Sequence, residues 1–242
     1  LSRFSSQTVF RSDRKTQQDN WAASFNPFVT NPQDTSLISL NYSLRQTLYF
    51  NRFGSKFGTE LNYQDIQNRQ LLSNGIDART NRFGFVRLRW NIVRMLTLNL
   101  DARTGRKIFD SQFLRNRNYT IQYHEIMPEL VIQPSNSFRA GITYRVALKD
   151  NLGTPGDTLL PGGESARMHD WGIDFKTNFI AKGQLQVRSN LIWISYNGTQ
   201  NTALAFEMLE SLRTGFNVTW GASFQRTIGN NLQLTLQYDG RK

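Results

Sequence analysis

The sequence predicts an all-β protein, an antiparallel up-and-down meander of about 10–12 long strands. Three observations predict it: apolar and polar residues alternate with period two, the alternating segments are long, and short connections alternate with long ones. The clearest segment runs from Ile38 to Phe50. Its even positions include Leu40, Tyr42, Leu44 and Leu48, while the odd ones include Ser39, Asn41, Ser43 and Arg45. Side chains on a strand point alternately to opposite faces, so this pattern makes one apolar face and one polar face.

The pattern then returns in pairs. After a link through Asn51 to Ser55, Phe57, Leu61 and Tyr63 alternate with Glu60, Asn62 and Gln64. Val86, Leu88, Trp90 and Ile92 oppose Arg87, Arg89 and Asn91, and Leu96, Leu98, Leu100 and Ala102 follow a turn near Val93 to Met95. A third pair starts at Tyr119, Ile121 and Tyr123, with Pro128 expected to mark a bulge or local break. Its partner carries Phe138, Ala140, Ile142, Tyr144, Val146 and Leu148 after the turn residues Pro134 to Ser137. Trp171 to Phe179 pairs with Leu185 to Trp193, and Phe216 to Phe224 with Leu232 to Tyr238. Upstream, Phe4 to Phe10 and Trp21 to Val29 are weaker candidates within residues 1–35, interrupted by Pro27 and the polar stretch Asp13 to Asn20. A short amphipathic helix is expected over 203–212, where Leu204, Met208 and Leu212 recur at i, i+4, i+8.

The segments span about 10 to 15 residues, longer than the roughly 5 or 6 of soluble strands and sufficient for a tilted membrane strand. Long links are expected at Asn68 to Asn81, Thr104 to Asn116, Asp150 to Met168 and Asn197 to Thr214, with tight turns between them. That segregation, and aromatics such as Tyr49, Phe50, Phe53, Phe57, Trp171, Trp193, Tyr196 and Phe216 near strand ends, point to an outer-membrane β-barrel or a part of a larger barrel. Residues 1–242 are read as a single barrel domain or barrel segment.

Composition narrows the classes. Apolar residues make up 38% of the chain and mean hydropathy is −0.50, with no run long enough for a membrane-spanning helix. Strands escape that test because their two faces average out. The net charge of +11 is scattered along the strands, which argues against nucleic acid as a partner. Cysteine is absent, so thiolate sites and disulfides are excluded.

Catalytic signals are sparse. His124 beside Glu125 and His169 beside Asp170 are the only histidine–carboxylate neighbours, at no motif spacing. Asn151 to Gly163, with Asp150, Asp157 and Glu164 in or beside it, matches no Walker or EF-hand spacing and reads as a flexible external loop, the alternative being weak calcium binding through those carboxylates. The chain is therefore read as non-enzymatic, with no catalytic, cofactor-binding or metal residues. The polar parity is more informative. Arg45, Arg87, Arg89, Arg103, Arg139, Arg145, Lys176 and Arg188 share it with Glu60, Asp101 and Asp174, and are the candidate lumen-facing basic residues. Such a lining favours anions, an acidic polymer or a bound plug; alternatively the charges form cross-strand ladders that stiffen a wall.

Thr80-Asn81-Arg82-Phe83-Gly84, Gln133-Pro134-Ser135-Asn136-Ser137-Phe138-Arg139 and the closing Leu232-Gln233-Leu234-Thr235-Leu236-Gln237-Tyr238-Asp239-Gly240-Arg241-Lys242 resemble segments of large surface and outer-membrane β-strand proteins of the Bacteroidota. The resemblance covers roughly residues 50–242 and implies a longer parent chain with an export signal. Ending on Arg241-Lys242 rather than an aromatic departs from the usual last strand of a barrel and points to further strands elsewhere. The expected location is the bacterial outer membrane. Expected partners are outer-membrane lipid, other envelope proteins or missing strands of the parent chain. The expected role is a transport or secretion component with a basic lumen face, or alternatively a non-transporting adhesin or scaffold.

Overall fold

The computed structural model describes residues 3–17, 37–51, 56–153, 162–179, 183–228 and 232–242. It contains β1 (Phe4–Thr16), β2 (Leu37–Phe50), β3 (Phe57–Leu72), β4 (Gly75–Val93), β5 (Leu96–Ser111), β6 (Tyr119–Ser135), β7 (Phe138–Asn151), β8 (Ser165–Phe179), β9 (Gly183–Asn197), α1 (Ala203–Met208), β10 (Gly215–Ile228) and β11 (Leu232–Arg241). The strands form one antiparallel sheet in sequence order, from β1 at one edge to β11 at the other. Each ladder joins chain neighbours, as the paired alternation requires.

Register turns the alternation into two continuous faces. Direct partners share a face, so Leu44, Leu48, Leu61, Val86, Leu98, Leu100, Ile142, Val146, Ile173, Leu191, Leu234 and Leu236 fall together. This apolar face is largely open: Ile142 is 56% exposed, Ile173 61% and Leu236 57%. The opposite face carries the eight basic residues singled out above and, over its β5–β9 sector, α1.

Several expectations are corrected. Residues 68–81 are not a long link. β3 and β4 continue through them in register, from Asn68 opposite Arg79 to Leu72 opposite Gly75, leaving a two-residue turn of Ser73 and Asn74. Ser73, Asn74 and Gly75 are turn-forming residues, and Gly75 takes φ +136°, open to glycine. The next link also shortens, because β5 runs to Ser111. β1 continues through Asp13 to Thr16, paired with β2 and shifting register only between Lys15 and Thr16, where the polar stretch was expected to interrupt it. Polarity does not break a strand whose backbone hydrogen bonds are met by a neighbour. Trp21 to Val29 lies outside the described residues. Pro128 gives the local break rather than the bulge: Ile126 faces Val146 and Glu129 faces Thr143 in one register, and the pairing with β7 is interrupted at Met127 and Pro128 between them.

The helix is shorter than the 203–212 expected. Thr202 caps it, its Oγ1 accepting from the Ala205 amide at 3.0 Å. After Met208 the chain turns through Glu210 and Ser211, both at positive φ (54° and 64°).

Candidate functional site on the helix-bearing face

All eight sequence-predicted basic residues lie on one face. Arg45 stands opposite Gln64, Arg87 opposite Glu60 and Asp101, Arg89 opposite Asn99, Arg103 opposite Glu125, Arg139 opposite Lys176, Arg145 opposite Asp170, and Arg188 opposite Asp174. Six of them fall into three settings, while Arg45 donates to Gln64 Oε1 at 3.5 Å and Lys176 stands between Arg139 and Gln186.

Toward the short turns, Arg87, Arg89 and Arg139 border a hollow of about 550 Å³ with Glu60, Asn99 and Glu129. Arg87 grips Asp101 with two hydrogen bonds, Nε to Oδ1 at 2.8 Å and Nη2 to Oδ2 at 2.7 Å. This fork geometry is the strongest form of the pair. Glu129 accepts from Asn99 Nδ2 at 2.9 Å and from Arg139 Nη2 at 3.5 Å. Arg188 borders a second hollow with Asn190, Asp239 and Arg241.

Midway along the strands, Arg103 lies over the rings of Phe83 and Phe85 at 5.2 and 5.8 Å, and Arg87 over Phe85 at 5.1 Å. Sequence alternation missed these aromatics as part of the polar face. Their signal was parity alone, since both share the odd positions of Arg87 and Arg89. Gly105 makes room for them: a Cβ there would come within 2.6 Å of Phe83 Cβ and 2.8 Å of Tyr123 Cζ.

Beneath the helix the face turns apolar. Met208 is fully buried against Ile121 and Ala166, while Ala205 and Leu209 pack on Ala147, Met168, Ile192 and Ile194. Charges surround this patch. Lys107 Nζ meets Glu207 at 2.7 Å, and Glu210 Oε1 accepts from both Arg145 Nη2 at 2.6 Å and Lys149 Nζ at 2.8 Å. Lys149, only 5% exposed, also donates to the Met208 carbonyl at 3.0 Å. Burial alone would raise the Glu210 carboxyl, but Lys149 and Arg145 outweigh it and hold the group below its ordinary value of 4.5. The segment thus touches five strands, β5 to β9. At about 4.8 Å spacing these span roughly 19 Å, wider than a helix of about 10 Å, and the long side chains at the rim reach the outer strands. Lys107, Lys149, Glu207 and Glu210 hold the segment to the sheet, and none of them is among the eight basic residues drawn from parity.

The two histidine–carboxylate neighbours are separated by the pleat. His124 faces the apolar side, bonded to Thr104 Oγ1 at 2.9 Å and Gln122 Nε2 at 3.1 Å, while Glu125 points to Arg103 on the other. His169 meets the Tyr144 hydroxyl at 2.8 Å and stacks near Trp171, while Asp170 accepts from Asn190 Nδ2 on the helix-bearing face. Successive strand residues cannot share a face, so neither pair assembles. The aromatic assignment is corrected in the same way: Tyr49 opposes Glu60 on the polar face, and Tyr196 packs against α1. Phe53 lies outside the described residues. Trp171, Trp193 and Tyr144 do cluster on the apolar face with His169.

No protein-family model matches the chain, and no curated protein matches it.

Proposed function

We propose that the chain forms all or part of the wall of a membrane-spanning β-barrel in the bacterial outer membrane, with the arginine face lining an aqueous interior and α1 seated in it as a plug. The observation that carries this reading is the continuity of the apolar face across the ladders. Soluble monomers rarely expose contiguous apolar patches beyond a few hundred Å². Here Leu61, Trp90, Ile126, Ile142, Trp171, Ile173, Leu191, Phe216 and Leu236 are all exposed on the same side.

The dimensions support the same reading. On β7 the outward residues stay apolar from Phe138 to Leu148, about 34 Å along the strand at 3.4 Å per residue. At the usual tilt of about 40° this is roughly 26 Å of height, close to the about 25 Å band of outer-membrane barrels. Beyond it the outward positions become polar, with Asp150 after Leu148 and Thr104 and Arg106 after Ala102.

In this reading the basic interior either admits anionic solutes or holds a partner segment. A scaffold reading is favoured by a different observation: the bidentate Arg87–Asp101 pair and the clamped helix occupy much of the positive charge within the wall itself. Cysteines placed singly at Arg87 and Leu88 test the geometry, since the chain has none of its own. In vesicles a water-soluble thiol reagent labels the first and spares the second; equal labelling sinks the membrane reading. Planar-bilayer recordings then separate the two roles. Anion preference that falls on replacing Arg87 and Arg89 by Gln supports permeation, and absence of conductance supports the scaffold.

A further inference from the structure

We propose that the apolar face carries a binding site for a membrane lipid with a phosphate headgroup, formed by Arg82, Arg106 and the groove that begins beside them. The site rests on the membrane-spanning reading above.

Arg82 on β4 and Arg106 on β5 are direct cross-strand partners, and both are exposed. Like charges in that position destabilise a ladder. Asp65 meets Arg82 through Nε, at 3.0 Å, and leaves the arginine side chain 53% exposed. Among the described residues, no carboxylate forms an ion pair with Arg106. A single anion between the two guanidinium groups offsets their repulsion, and the planar fork of each matches phosphate oxygens.

What lies next to the pair identifies the anion as part of an amphiphile. Toward the short turns the following cross-strand pairs are Gly84 with Thr104 and Val86 with Ala102. A Cβ on Gly84 would meet nothing within 4 Å. The low floor is walled by Leu48, Leu61 and Tyr63 on one side and Ile126 on the other, giving a groove of about 470 Å³. Thr104 and His124, bonded to each other at 2.9 Å, stand at its polar end. The order along the wall is therefore guanidinium pair, hydroxyl and imidazole, then apolar trough. That is the order of phosphate, ester linkage and acyl chain in a lipid. It falls at the level where outward residues change from apolar to polar, the height of headgroups in the membrane-spanning reading.

Reconstitution into vesicles of equal phosphatidylcholine and phosphatidic acid, followed by mild detergent extraction and mass spectrometry of the retained lipid, tests the site. The unmodified protein retains phosphatidic acid in excess, on the order of tenfold. Arg82→Gln with Arg106→Gln returns the retained lipid to the bulk ratio. Gly84→Phe, which fills the trough without touching the arginines, lowers the amount of phosphatidic acid retained. Arg69→Gln, outward on β3 away from the groove, changes neither. Enrichment that survives the double substitution, or is lost equally with Arg69→Gln, overturns the proposal. Protein that inserts with the labelling pattern expected at Arg87 and Leu88 but shows no enrichment overturns the lipid site alone. Failure to insert overturns the membrane reading and the site with it.

Discussion

The helix-bearing face is built in two ways at its two ends. Under α1, its side chains are apolar and buried, Ile121, Met168 and Ile194 among them, and the cations Lys107, Arg145 and Lys149 find carboxylates brought by the helix segment. Toward the short turns, the same parity carries Arg87, Arg89, Asn99, Glu129 and Arg139 around an open hollow, and charge is met from strand to strand. One end is a closed core with a charged rim. The other is a polar surface that leaves volume free. The difference teaches that parity assigns a residue to a face, whereas the covering segment decides whether that position is core or lining.

The sharpest way to break the comparison is to empty the closed end. Met208→Ala removes a fully buried side chain and is expected to cost about 2–5 kcal/mol of helix docking. Hydrogen exchange checks it: amides of residues 203–212 lose protection while those around Arg87 and Asp101 keep theirs. Loss of protection at both ends would show that the two halves are one cooperative unit.

A slightly smaller effect is expected on the opposite face. Leu98→Arg should cost about 2–4 kcal/mol if that residue meets the bilayer midplane, measured by folding into vesicles under denaturant. A negligible change would make the apolar face a surface for protein rather than lipid.

Next comes the clamp. Glu210→Gln leaves Lys149 buried with the Met208 carbonyl as its remaining recorded partner, expected to cost about 1–3 kcal/mol. Acid acts on the same contact. Because the folded-state value of Glu210 is depressed, its contribution is fully present above about 4.5 and is lost as pH falls through the lower folded value. Protection at α1, taken relative to the intrinsic exchange rate at each pH, should therefore be flat near neutrality and fall only in acid; a fall between pH 6 and 8 would point to another group.

The smallest effect belongs to the open end. Arg139→Gln breaks a 3.5 Å pair whose arginine is 45% exposed, and should change stability by less than about 1 kcal/mol. Urea titration checks that. A larger loss would mean that the hollow is held as tightly as the core beneath α1.

Much of this architecture is written locally. Alternation over Ile38 to Phe50 specifies β2, and the same period marks the ten strands from β2 to β11. It places all eight basic residues on one face because a side chain's side follows from position alone. The error at 68–81 came from treating polar residues as loop, although the turn-forming cluster Ser73-Asn74-Gly75 falls within it. The clamp around Glu210 was less accessible to such reading. Glu210 is 61 residues from Lys149 and 65 from Arg145, and no local period links a loop carboxylate to a strand cation.

The sequence by itself thus determined the central parts of the strands, their order and the segregation of apolar from polar faces, since backbone pleat and nearest-neighbour pairing are local properties. Only the tertiary structure decided which polar positions are buried, which cations are neutralised and where free volume remains. Those outcomes depend on how residues after β9 fold back over β5 to β8. That return is set by packing Met208 and Leu209 into a patch assembled from four strands, β6 to β9, through contacts whose separation along the chain no pattern records.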